Sequence, residues 1–189
     1  MEGFEWRHLD FPERDVLDLR VTHAGKETKL MTYRWPATGE RKAVVFMLHG
    51  YSSCAPHMAV LAKFLAADGF EVFAFDMGER GGFLSTEQVY SDCWALVFEV
   101  CKQFAIDQQA LAPTSVAQTS LPLCFIKAEK DGVVRNDYIE DVAAKGTNPL
   151  NEMHEVPGAD HTDICFDEHY GSHTIRATLA FLNKLQTAR

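Results

Sequence analysis

Ala43-Val44-Val45-Phe46-Met47-Leu48-His49-Gly50 is the stretch from which the rest of the chain can be placed. Six apolar residues in a row predict a strand buried on both faces, and His49 and Gly50 end it. Tyr51-Ser52-Ser53-Cys54-Ala55-Pro56 turns the chain. His57 to Ala67 then reads as a helix with Met58, Leu61, Phe64 and Leu65 on one face. Asp68-Gly69 is its stop. Glu71-Val72-Phe73-Ala74-Phe75 follows as a strand with Asp76 at its end. Strand, helix and strand in this order form a crossover unit, which requires the two strands to be parallel. Ligands bind outside the carboxyl ends of such strands, so the sequence marks the loop at 49–53 as a place for chemistry.

Working outward, Val16 to Val21 alternates polar and apolar residues, and Lys29 to Trp35 follows a turn at His23-Ala24-Gly25-Lys26. The two segments predict an antiparallel hairpin near the amino terminus. The helix starting near Thr86 or Glu87 carries Val89, Cys93, Leu96, Val97, Val100, Cys101 and Phe104. That wide apolar stripe suits a helix covering a sheet rather than a partner-binding face. Residues 107–120 read as a loop, long for a compact domain. Leu121 to Ala128 is a second buried strand, ending in the turn Glu129-Lys130-Asp131-Gly132. Asn136 to Ala144 is a short helix capped by Asn136 or Asp137. Asn151 to Val156 is a short strand, Pro157 to His161 a loop, and His173 to Leu185 a closing helix. The fold class is α/β: a contracted, mostly parallel sheet of about six strands flanked by helices, with the amino-terminal hairpin. No repeat or linker divides the 189 residues, so one domain is expected.

Composition narrows the function. Apolar residues make up 47% of the chain, enough for a core, and the net charge is -9. An acidic chain without a basic cluster is a poor partner for nucleic acid or an anionic membrane surface. No stretch is long and apolar enough to cross a bilayer, and Met1 to Trp6 does not begin a secretory signal. The five cysteines form no C-x-x-C pair, and Cys93, Cys101 and Cys124 lie among apolar neighbours. This is the usage of a reducing compartment, and a cytoplasmic protein is expected.

Three loops leave the carboxyl ends of predicted strands. They deliver His49-Gly50-Tyr51-Ser52, then Asp131, then His161. An acid that orients a histidine, and a histidine that deprotonates a nucleophile, is the logic of acyl transfer. Acid before histidine, both late in the chain, is the order of α/β-hydrolases.

With these residues in place, the chain resembles the α/β-hydrolases of the monoacylglycerol lipase-like, serine aminopeptidase S33 type. The resemblance runs over roughly 10–106 and 120–186. It rests on Val44 to Ser53, Gly69 to Asp76, Leu121 to Val134 and Val156 to His161. It implies that Asp131 and His161 hold the positions of the catalytic acid and base. It also implies that His49, Gly50 and Tyr51 shape an oxyanion loop, and that the substrate is a small carboxylic ester or lipid such as a monoacylglycerol. No cofactor and no metal are expected.

The chain departs from that family in two places: the loop after Asp76 reads Asp76-Met77-Gly78-Glu79-Arg80-Gly81 where the family usually shows Asp-x-Arg-Gly-x-Gly, and the interval after Phe104 is changed more. The Gly-x-Ser-x-Gly elbow is absent between Phe104 and Leu121, where two strands, a helix and a lid are also expected. The reading is an internal deletion near 105–120 and an impaired or inactive hydrolase. Two strands left without a neighbour would expose backbone groups, which invites a homodimer through sheet edges. Gly50-Tyr51-Ser52-Ser53-Cys54 keeps half an elbow between a strand and a helix, so Ser52 is an alternative, recruited nucleophile. The plainer reading of Ser52 and Ser53 is helix capping. A non-catalytic binding or regulatory protein is a further alternative. Asp160, His161, Asp163, Cys165, His169 and His173 have metal-binding side chains but match no defined spacing, and Gly78 to Gly82 lacks a phosphate-loop fingerprint.

Overall fold

The computed structural model describes residues 13–23, 25–50, 53–76 and 121–187, together with the helical residues Asp92, Ala95, Leu96, Glu99, Val100 and Lys102. They fall into two compact units. One spans Arg7–Ala110; the other contains Leu111–Arg189.

The first unit is built on the central strand β6 (Phe70–Phe75), in which every residue is buried. Its neighbours are β5 (Ala43–Met47), parallel to it, and β4 (Thr32–Trp35), antiparallel. The two-residue strand β1 (Glu13–Arg14) pairs with β4, giving the order β1-β4-β6-β5. A 3-10 turn at Ala55–Met58 and α1 (Ala59–Ala67) connect β5 to β6, completing the crossover unit. Gly69 closes α1 at φ +91°, donating its N–H to Ala66 O at 3.1 Å. That left-handed conformation suits glycine, and the Asp68-Gly69 stop operates as expected.

The amino-terminal hairpin is present, with its strands displaced from the expected ranges. β2 (Arg20–His23) pairs with β3 (Lys26–Lys29), and the segment that follows joins the main sheet as β4. Leu17, Leu19, Val21 and Leu30 from around the hairpin pack with Phe73, Phe75, Leu96 and Val100 into one buried cluster. Leu96 and Val100 bear out the sheet-covering stripe at the positions described.

The stretch at 43–48 corrects an expectation. β5 is only partly buried over Ala43–Phe46, and Leu48 is 45% exposed. Among the described residues β5 pairs only with β6 and lies at the sheet's edge. The strand buried on both faces is β6, which lies between β4 and β5, has α1 packed on it, and contributes Phe73 and Phe75 to the buried cluster.

The second unit holds the parallel pair β7 (Cys124–Ala128) and β8 (Glu152–Val156). α2 (Asn136–Ala143) connects them and packs on β7. α3 (Asp163–Phe166) and the long helix α4 (Glu168–Thr187) follow, and α4 packs on both strands. α4 starts five residues before the predicted His173, because Glu168–Ser172 continues the same helical path. The α/β architecture with flanking helices and an antiparallel hairpin is therefore established, and the four-stranded sheet is mixed, since β4 runs against both its neighbours. No helix among the described residues is long and apolar enough to cross a membrane.

Candidate active site

Asp131 and His161 meet at the carboxyl ends of β7 and β8. Parallel strands end on the same side, so the loop after each reaches the other. The two loops are joined by backbone hydrogen bonds: Glu129 N to Val156 O at 3.2 Å and Lys130 N to Ala159 O at 2.8 Å. Gly158 N donates to Glu129 Oε2 at 2.6 Å. Beneath them Ala128, Val156 and Ala159 are fully buried, with Ile126, Ile164 and Tyr170 packed alongside. Gly158 has φ +79°, and a Cβ there would lie 3.1 Å from Tyr170 Oη. The left-handed backbone favours glycine, and an added Cβ would also push the Tyr170 hydroxyl by a few tenths of an ångström.

Asp131 is held from two directions. Its Oδ1 accepts N–H bonds from Val133 at 2.9 Å and Val134 at 2.7 Å. His161 Nδ1 lies 2.9 Å from Oδ2 and 3.1 Å from Oδ1. The Asp131 side chain is 5% exposed and that of His161 is 40% exposed. Burial pushes the Asp131 carboxyl up, but the His161 imidazole and the N–H groups of Val134 and Val133 outweigh it and hold it below its ordinary value. An ionised carboxylate only accepts, so Nδ1 carries the proton of the neutral ring and Nε2 keeps its lone pair. A histidine oriented by a buried acid, with Nε2 available, is equipped as a general base.

Asp160 is a supporting residue that sequence reasoning missed. Its Oδ1 accepts from His161 N at 2.7 Å and from Gly132 N at 3.4 Å, linking the two loops. An acid directly before the candidate histidine was the available signal. The expected helix caps Asn136 and Asp137 are corrected. Arg135 is the N-cap of α2, and Asn136 Nδ2 donates to Ala128 O and Glu129 O, both at 3.0 Å, securing the end of β7.

His49 is buried, with Nδ1 2.9 Å from Gly50 O, and Gly50 is exposed at the end of β5. Tyr51 and Ser52 lie outside the described residues. Ser53 does not cap a helix: the N-cap is Cys54, and Ser53 Oγ sits 3.0 Å from His57 Nδ1 instead. Asp76, at the end of β6, accepts from Ala55 N at 2.7 Å and Tyr33 Oη at 2.8 Å.

The Asp160–His173 set does not converge as a metal site. Among the described residues the potential ligands that gather are Cys124, Glu152 and His154, at the other ends of β7 and β8. An open groove of about 430 Å³ is lined by Val133, Val134, Arg135, Asp137, Tyr138 and Asp141. His161 is not among its walls, so substrate binding is not assigned to it.

No protein-family model and no curated protein matches the chain. Solved structures do resemble it. A soluble variant of monoglyceride lipase from Saccharomyces cerevisiae, in complex with a substrate analog, is 12% identical with a TM-score of 0.71, over 97% of this chain and 99% of that one. Esterase 2 from Thermogutta terrifontis, phosphorylated by paraoxon, is 13% identical with a TM-score of 0.69, over 93% and 95%. An alpha-beta serine hydrolase homologue from Coxiella burnetii is 14% identical with a TM-score of 0.63, over 94% and 99%. At these identities the likeness shows a shared α/β fold and nothing about role.

Proposed function

We propose that this chain is a serine-hydrolase-derived protein of the carboxylic-ester, monoacylglycerol lipase-like type that retains the acid and base but lacks the elbow serine. The observation that supports this most directly is the Asp131–His161 hydrogen bond at the carboxyl ends of two parallel strands. Asp131 fixes the ring and its tautomer; His161 accepts a proton at Nε2 and returns it. By resemblance, His49, Gly50 and Tyr51 correspond in sequence to the oxyanion loop of the parent machinery. The chain acts as one domain reduced near 105–120, and its ligand class is a small ester or lipid. Without Gly-x-Ser-x-Gly there is no strained turn to present a hydroxyl, so ester turnover is reduced to background.

A recruited nucleophile is the second reading. Ser52 lies in the sequence between β5 and the 3-10 turn that opens α1, the strand–turn–helix context a nucleophile requires. A fluorophosphonate probe separates the two. A folded sample whose intact mass is unchanged supports loss of acyl-serine chemistry. One adduct mapped to Ser52, absent in Ser52→Ala, overturns that reading in favour of recruitment. The edges of β5 and β7 add a second copy of the chain as a partner. Size-exclusion chromatography showing a compact monomer at every concentration discards that partner.

A further inference from the structure

The amino ends of β7 and β8 carry a second cluster, unrelated to proton transfer at His161. Cys124 stands opposite Glu152 in the parallel register. Side chains two apart on a strand share a face, so His154 lies beside Glu152 on the face that Cys124 also occupies. The Cys124 sulfur, a Glu152 carboxylate oxygen and a His154 ring nitrogen all lie within 4.8 Å of one another, and all three residues are partly buried. His154 Nε2 is already 3.0 Å from Glu152 Oε2. A tetrahedral zinc ion with ordinary bond lengths separates its ligands by roughly 3.3–3.8 Å, so small side-chain movements complete the site.

We propose that Cys124, Glu152 and His154 bind a zinc ion with an open fourth position filled by water. A thiolate, an imidazole and a carboxylate together favour zinc over the hard, oxygen-seeking magnesium and calcium ions. The donors sit on strands whose starts are fixed: Glu152 N donates to Leu123 O at 2.9 Å, and Leu123 N donates to Asn151 Oδ1 at 2.9 Å. Lys184 from α4 holds Glu152 Oε1 at 2.6 Å, which orients the carboxylate and leaves Oε2 for the metal. Binding exchanges the Cys124 S–H bond for a sulfur–zinc bond and releases that proton to solvent; no electron is transferred. The ion ties β7 to β8 roughly 13 Å along the strands from the Asp131–His161 end. It therefore acts on the architecture and not on the proposed acid–base pair.

The test uses the full chain, stripped with a chelator and titrated with Co2+ alone as a spectroscopic stand-in. A thiolate-to-cobalt charge-transfer band that saturates at one equivalent and is bleached by Zn2+ is the expected result. Cys124→Ser abolishes the band, whereas Cys165→Ser and Cys54→Ser keep it. No band in the unaltered chain, or a band that survives Cys124→Ser, overturns the site. Should Cys124→Ser fail to fold, alkylation of the unaltered chain decides. Zn2+ slows labelling of Cys124 about tenfold and leaves exposed Cys165 unchanged. Equal labelling of Cys124 with and without zinc, or equal protection of both cysteines, overturns it.

Discussion

Asp131 and His161 stand 30 residues apart in the chain and share a hydrogen bond 2.9 Å long, the acid buried and the imidazole facing outward. The acid's hydrogen bonds with Val133 and Val134 hold it in place whatever the ring does. A rigid carboxylate beneath a half-exposed ring fixes both the ring's direction and its tautomer.

The Asp131 carboxyl is held below its ordinary 3.8. A group depressed in the folded state stabilises the fold above its unfolded value, and that stability is lost as pH falls through the folded value. Asp131→Asn is therefore expected to lower stability by about 1–2 kcal/mol at neutral pH. The gap to the unaltered protein should shrink below pH 3.8. Thermal unfolding of both proteins across an acid series measures this; a gap that widens in acid contradicts it.

Gly158→Ala forces an L side chain into a left-handed conformation and sets a Cβ 3.1 Å from Tyr170 Oη. A cost of about 1–2 kcal/mol is expected from the backbone alone. Adding Tyr170→Phe removes the crowding hydroxyl but not the backbone term. Denaturant melts should show partial recovery in the double variant, and full recovery would assign the whole cost to crowding.

Glu71 is the charged residue at the heart of the mixed sheet. Its side chain is 5% exposed, with Arg34 at 2.6 Å and Arg41 at 2.9 Å. Burial pushes its carboxyl up, and the two guanidinium groups bring it below its ordinary value. Arg34→Ala leaves much of that charge uncompensated and is expected to cost about 3 kcal/mol. Glu71→Leu combined with Arg34→Met should restore most of the loss, which a double-mutant cycle in urea reads directly.

Tyr33 is pushed up to about 12, by burial first and then by the Asp76 carboxylate that accepts its hydroxyl. A raised tyrosine stabilises the fold fully below its ordinary value of 10, and that contribution is lost as pH rises through about 12. Ultraviolet titration should show one late-ionising tyrosine. Tyr33→Phe should remove that component and cost about 1.5–3 kcal/mol at neutral pH. An unchanged alkaline titration would place the late tyrosine elsewhere.

Local pattern was enough for the crossover unit. The apolar run at 43–47, the Asp68-Gly69 stop and the apolar strand at 70–75 are short-range signals, and each appears where periodicity and turn chemistry put it. Which of two apolar strands would be central was not legible. Ala43–Met47 and Phe70–Phe75 have similar composition, and burial follows from place in the sheet and from what packs on each strand, both decided by tertiary structure. The hairpin was displaced for a related reason: alternation marks a strand but does not choose its partner, and Thr32–Trp35 pairs with β6 instead.

The sequence by itself determined the α/β class, the order of the elements, and Asp131 and His161 as an acid followed by a histidine at two strand ends. Only the tertiary structure decided that their side chains meet, because a distance across 30 residues depends on the parallel register of β7 and β8 and on the bonds joining their loops. The same register brings Cys124 to Glu152 and His154. No spacing rule could announce that juxtaposition, since it arises from strands aligned side by side and not from residues close in the chain.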